Sequence, residues 1–129
     1  MPGELNWWIG VVFALGASLF ALGCVLFLVP STAQAWNISE LQANGVFFLG
    51  SIPFTTAAYL QLFQAANAGP MLDSKGVETG ARVWFGWRPG DAGWLACMLQ
   101  SLGTILFNFN TFDAMHPGVE WWRQALLIW

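Results

Sequence analysis

Residues 8–29 read WIGVVFALGASLFALGCVLFLV, with no Asp, Glu, Lys, Arg or His among them. As a helix this run is about 33 Å long, enough to cross a hydrocarbon core of roughly 30 Å. It lacks the basic flank of a cleavable signal peptide and exceeds the usual apolar stretch of one, so it reads as a retained span. Two further runs meet the same test. Residues 46–66, VFFLGSIPFTTAAYLQLFQAA, carry Pro53 inside, and residues 93–112 read GWLACMLQSLGTILFNFNTF. Neither contains Asp, Glu, Lys, Arg or His. The reading is an all-α integral membrane bundle, one transmembrane domain over residues 1–129 with three spans.

Composition agrees. The chain is 57% hydrophobic and 9% charged, where a soluble domain is about 25% charged. Nine tryptophans and eleven phenylalanines need an apolar solvent to face. The lipid bilayer is therefore the first partner expected. A net charge of −3 without a basic block excludes a nucleic-acid partner.

Orientation is read from Lys and Arg. Loop 67–92 carries Lys75, Arg82 and Arg88, whereas loop 30–45 carries none. The N-terminus and loop 67–92 are expected on the cytoplasmic side. Trp7, Trp8, Trp84, Trp87 and Trp94 form the aromatic belt there, and Trp36, Trp121 and Trp122 the outer one. Asn44 and Asp91 are the expected N-caps of the second and third spans. Loop 67–92 is rich in turn formers, with a membrane-lying turn expected at VWFGW, 83–87. The C-terminal segment 117–129 contains EWWRQALLIW, which reads as an interfacial helix or as the start of a truncated fourth span. Cys24 and Cys97 fall near opposite faces, too far apart for a disulfide.

Each span carries Gly-x-x-x-Phe near its middle: Gly16/Phe20, Gly50/Phe54 and Gly103/Phe107. FFLGSIPF at 47–54 resembles a Gly-Ser-x-x-Phe pattern of the YrhK-like small bacterial membrane proteins. FGWRPGDAGWLACMLQSLGTILFNFNTFDAM at 85–115 is similar to a stretch of uncharacterised multi-span bacterial proteins. The resemblance implies the bacterial inner (cytoplasmic) membrane and a further span, and it transfers no site residue.

Residues three, four and seven apart share a helix face. In the first span Gly10, Ala14, Ala17, Ala21 and Cys24 form a stripe of small residues. Such stripes let helix backbones approach closely. The second span offers Ser51, Thr55 and Tyr59, and the third Gln100, Thr104, Asn108 and Thr111. All three stripes, the small-residue one included, are expected to face one another and fill the bundle, with Asn108 hydrogen-bonded to Thr55, Ser51 or the carbonyl freed by Pro53. Asn110 lies about 200° from Asn108 on the helix and belongs to the face of Gly103 and Phe107, reaching the outer interface or a partner.

No ionisable residue lies within a span, which argues against proton-coupled transport or pumping. The single histidine, His116, has only Asp113 and Glu120 nearby, too few ligands for a metal site. Neither cysteine has a histidine neighbour to activate it. No enzyme chemistry and no cofactor is expected. Three functional readings follow. The first is a non-enzymatic accessory or structural subunit, packed against itself as a homo-oligomer or against other membrane protein subunits. The second is a homo-oligomeric carrier or channel for a small uncharged solute, its path lined by the polar stripes. The third is a pigment- or haem-associated subunit using His116, with Asn110, Trp121 and Trp122 as contacts.

Overall fold

The computed structural model describes residues 2–69, 75, 76, 80 and 82–116. They form four helices: α1 (Pro2–Leu28), α2 (Pro30–Ala35), α3 (Glu40–Ala66) and α4 (Ala92–Met115). The chain is all-α, and α1, α3 and α4 are long and apolar enough to cross a membrane. The fourth helix is α2, a short piece between the first two spans. The expected C-terminal interfacial helix or fourth span, with Trp121 and Trp122, lies outside the described residues.

Local chemistry sets the helix ends. Val29, just before Pro30, sits at φ −121°, ψ 78°, because proline disfavours the helical region for the residue ahead of it. Helix α2 starts at that proline and ends at Ala35, and two residues on Asn37 takes a left-handed φ of 52°. The Ile38 N–H then donates to the Ala33 carbonyl at 2.8 Å, closing the turn as a left-handed C-cap does. Ser39 opens α3 with a capping box: its hydroxyl accepts from the Gln42 N–H, and the Gln42 side chain accepts from the Ser39 N–H. This corrects the expected cap at Asn44. The sequence S-E-L-Q at 39–42 satisfies two orphan N–H groups reciprocally, so α3 begins four residues before Asn44. Asp91 caps α4 as expected, accepting from the Trp94 N–H at 3.0 Å. Helices α1 and α3 each have 27 residues, about 40 Å, so both outrun the hydrocarbon core or tilt across it.

Helix α3 is central. It runs antiparallel to both neighbours and packs α1 and α4 on two adjacent faces. Toward α1 it presents Phe47, Gly50 and Phe54. Toward α4 it presents Asn44, Phe48, Ser51, Thr55 and Leu62. On each face the spacing alternates three and four residues or multiples of them, the period of coiled-coil packing.

The α1–α3 contact is built from two of the three repeated motifs. A Cβ added at Gly16 would meet the Gly50 carbonyl oxygen at 3.0 Å and Phe54 at 3.1 Å. A Cβ at Gly50 would meet Leu19 at 3.0 Å, the Gly16 carbonyl oxygen at 3.2 Å and Phe20 at 3.3 Å. Each glycine therefore admits the backbone of the other, and each motif phenylalanine covers the opposite glycine. Gly23 repeats the device one heptad on, against the Phe47 ring. The third motif differs. Gly103 is exposed with open space at its Cβ, and Phe107 reaches across to Phe20 with ring centroids 5.4 Å apart.

The small-residue stripe of α1 is not this contact. Gly10, Ala14, Ala17, Ala21 and Cys24 are all exposed, and a Cβ at Gly10 would meet nothing. The face on α3 contains Ile9, Gly16, Gly23 and Leu26, all buried. The two stripes have the same period and are offset by one residue, a 100° rotation. The buried stripe wins because phenylalanines flank its glycines and fill the space on either side of the backbone crossing. Trp94 is a third correction. It is 1% exposed, forms a core with Leu62 and Ala66, and is no part of the aromatic belt. Trp7, Trp8, Trp84 and Trp87 are exposed.

Candidate functional site

The α3–α4 contact is a polar seam. Asn108 Nδ2 donates to Thr55 Oγ1 at 2.8 Å, one of the three partners expected from depth and face. Thr55 Oγ1 in turn donates to the Thr104 carbonyl at 3.3 Å. One turn away, Thr111 Oγ1 stands 3.5 Å from Ser51 Oγ. At the far end Asn44 Nδ2 donates to the Ala114 carbonyl at 3.3 Å. Ser51, Ser101 and Thr111 are buried.

The hydroxyl protons of this seam are engaged. Ser51 donates to the Phe48 carbonyl, Thr104 to that of Ser101, and Thr111 lies 3.1 Å from those of Phe107 and Asn108. The freed valence is an acceptor: Asn108 Oδ1 is buried with no hydrogen-bond partner among the described residues. A buried amide oxygen without a donor costs about 1–3 kcal/mol, so Asn108 is held by the geometry of Thr55 and not by full satisfaction of its amide.

The structure divides the residues expected on one stripe. Ser51, Thr55, Thr104, Asn108 and Thr111 come together. Gln100 is exposed and stands outside the seam. Its place is taken by Ser101, because the contacting face of α4 follows Trp94, Ser101, Asn108 and Met115 at intervals of seven. Tyr59 belongs to a different feature, donating its hydroxyl to the Trp84 carbonyl at 3.2 Å. Asn110 is half-buried. His116 is exposed, stacked on Phe112 with centroids 4.5 Å apart, its Nδ1 3.1 Å from the Phe112 carbonyl oxygen. No group of three or more His, Cys, Asp or Glu gathers among the described residues.

Sequence reasoning missed a second arrangement, at the end of the bundle that carries loop 67–92. Asn67 follows α3 and clamps the returning loop. Its Nδ2 donates to the carbonyls of Phe63 and Val83, and its Oδ1 accepts from the Val83 N–H. The loop is pinned further by Arg88 donating to the Ala68 carbonyl and by the Trp94 indole donating to the Phe85 carbonyl. Gly86 adopts φ +44° where a Cβ would press on Val83 and Ala66, so the turn needs glycine for both conformation and space. Across α3, Gln64 Nε2 donates to Asn6 Oδ1 at 2.6 Å, tying the start of α1 to the end of α3. Between these ties lies an open cleft of about 620 Å³, walled by Leu5, Trp8 and Phe63 and carrying Glu4, Gln64 and Arg82. An asparagine at a helix C-cap was the available sequence signal.

Comparison with protein-family models, with curated proteins and with solved structures finds no match.

Proposed function

We propose that this chain is a non-enzymatic subunit of a membrane assembly, associating laterally with another copy of itself or with a larger membrane complex. One observation carries the reading: Gly10, Ala14, Ala17, Ala21 and Cys24 form a continuous stripe of small side chains that the chain's own helices leave outward. In lipid there is little hydrophobic drive between helices, and close backbone approach over small residues is the main source of attraction. The polar seam supports the same reading over solute passage, since its hydroxyls bond carbonyls of the facing or same helix. The resemblance of segments 47–54 and 85–115 to small multi-span bacterial proteins supports a bacterial inner-membrane setting. Lys75, Arg82 and Arg88 support a cytoplasmic loop 67–92; a cysteine at position 75 is then silent to an impermeant thiol reagent applied to intact cells, and labelling there inverts the orientation.

Cysteine crosslinking in native membranes tests the association. In a Cys97→Ser background, cysteines placed singly along residues 14–25 are oxidised, with native Cys24 replaced where another position is probed. Crosslinking is expected at 14, 17, 21 and 24 and weak at 15, 18, 22 and 25. Identical positions lie at equal depth in a two-fold pair with its axis along the membrane normal, so a homodimer gives the doubled mass. A larger partner gives a heavier adduct with the same periodicity. Crosslinking without helical periodicity, or at no position, refutes the reading.

A further inference from the structure

We infer that the cleft between the start of α1 and the end of α3 is a binding site for a phospholipid headgroup bearing both a phosphate and a primary ammonium. The inference is independent of the lateral-association reading. Depth is the first argument. Trp7, Trp8, Trp84 and Trp87 are exposed at this end of the bundle, and exposed tryptophans collect at the headgroup level. Shape is the second. The cleft's volume of about 620 Å³ lies within the roughly 300–1,000 Å³ range of small-ligand sites. Its apolar wall includes Trp8 of α1 and Phe63 of α3, along which an acyl chain can lie while the head meets the polar residues.

Charge is the third argument, and it selects the ligand. Among the described residues the cleft carries one carboxylate, Glu4, and one guanidinium, Arg82. An anionic headgroup would add a contact to Arg82 but set its charge against Glu4. A zwitterion with phosphate and ammonium complements both charges. Arg82 has five N–H donors in a fixed fork, so it can keep a protein contact and still hold a phosphate oxygen. Glu4 accepts from the ammonium, which a quaternary choline group, lacking N–H, does not supply. The fourth argument is placement. Asn67 grips both the N–H and the carbonyl of Val83, which fixes the backbone beside Arg82. Gln64 and Asn6 fix the turn of α1 that bears Glu4. The two charges are thus held by hydrogen-bonded ties on either side of the apolar wall.

The test is native mass spectrometry of the full chain in detergent with phosphatidylethanolamine, phosphatidylcholine or phosphatidylglycerol of matched acyl chains. The expected result is preferential retention of phosphatidylethanolamine. Arg82→Gln weakens all three lipids, and Glu4→Gln removes the preference over phosphatidylcholine, each by about fivefold, the upper range for an exposed ion pair. Glu4→Lys reverses the order so that phosphatidylglycerol is retained most, a gain that misfolding does not imitate. Soluble phosphoethanolamine at millimolar concentration does not displace the lipid, because it lacks the chains that cover Trp8 and Phe63. Equal retention of the three lipids by the wild type overturns the proposal, as does a Glu4→Lys variant that keeps the original order. Displacement by phosphoethanolamine overturns the lipid as the source of the ligand.

Discussion

Gly16 and Gly50 should tolerate no side chain, and alanine is the smallest test. At Gly16 the added methyl meets the Gly50 carbonyl oxygen at 3.0 Å and the Phe54 backbone nitrogen at 3.2 Å. Ordinary carbon contacts lie near 3.5–4.0 Å, and these neighbours are helix backbone, which cannot rotate away. Relief requires α1 and α3 to separate by a few tenths of an ångström along the crossing. Overpacking of this kind costs roughly 1–3 kcal/mol. Alanine recovers up to about 1 kcal/mol of helix propensity, so the net expectation is roughly 0–2 kcal/mol of destabilisation. Gly50→Ala should behave alike, since its methyl meets Leu19 Cβ and the Gly16 carbonyl. The double variant should cost less than the sum, by about 0.5 kcal/mol or more, because one separation relieves both clashes. Gly10→Ala and Gly103→Ala, with open space at both positions, should be neutral or slightly stabilising. Reversible unfolding in mixed micelles, followed by far-ultraviolet circular dichroism, measures all five variants. A Gly10→Ala loss equal to that of Gly16→Ala, or strict additivity of Gly16→Ala and Gly50→Ala, refutes the assignment of this crossing.

Two further outcomes follow from the α4 side. A double-mutant cycle of Asn108→Leu with Thr55→Val should give a coupling near 0.6 kcal/mol and no more than about 1.7, the range for hydrogen bonds between membrane helices; zero coupling contradicts the 2.8 Å bond. Asn67→Ala, which removes three hydrogen bonds of the loop clamp, should cost about 1–3 kcal/mol and speed hydrogen exchange at the Val83 amide, while exchange at the centre of α3 stays unchanged.

The spans were legible because lipid imposes a coarse rule: long, uncharged, apolar runs. The partnership of Asn108 with Thr55 was legible too, because an amide in a span must find a polar neighbour at its own depth, and helix direction fixes depth. The contacting face of α1 was not. Residues 9, 13, 16, 20 and 23 and residues 10, 14, 17, 21 and 24 are both 3.5-residue stripes containing small side chains. Small residues alone do not choose between them. The choice lies in which glycines are flanked by phenylalanines that match the opposite helix, and that is a property of the pair of helices. Gln100 failed for a related reason: spacings of four and four drift off a 3.5-residue seam, so the stripe Gln100–Thr104–Asn108 leaves the contact where Trp94–Ser101–Asn108 stays on it. The cleft at Glu4 and Arg82 escaped because its parts lie far apart in the chain and are brought together by the Asn67–Val83 and Gln64–Asn6 ties.

The two contacts of α3 hold by different forces, and this bears on what the chain can do. Against α1 the attraction is dispersion: glycines bring backbones together, and Phe13, Phe20, Phe27, Phe47 and Phe54 form a chain of ring contacts with centroids 4.9–6.2 Å apart. A gap of roughly 0.5–1 Å already forfeits about a quarter to a half of such attraction, so the crossing is sensitive to small separations. Against α4 the attraction is hydrogen bonding among Ser51, Thr55, Asn108 and Thr111, where alternative partners along the same stripe exist and Asn108 Oδ1 is still unmet. A helix pair joined by exchangeable hydroxyls can shift register at lower cost than one joined by interlocked glycines. The α1–α3 hairpin is therefore expected to be the stiffer half of the molecule, and it carries the outward small-residue stripe and two walls of the cleft. On the lateral association proposed above, a partner docking on α1 would meet the stiffer surface, and adjustment on assembly is expected to fall to α4.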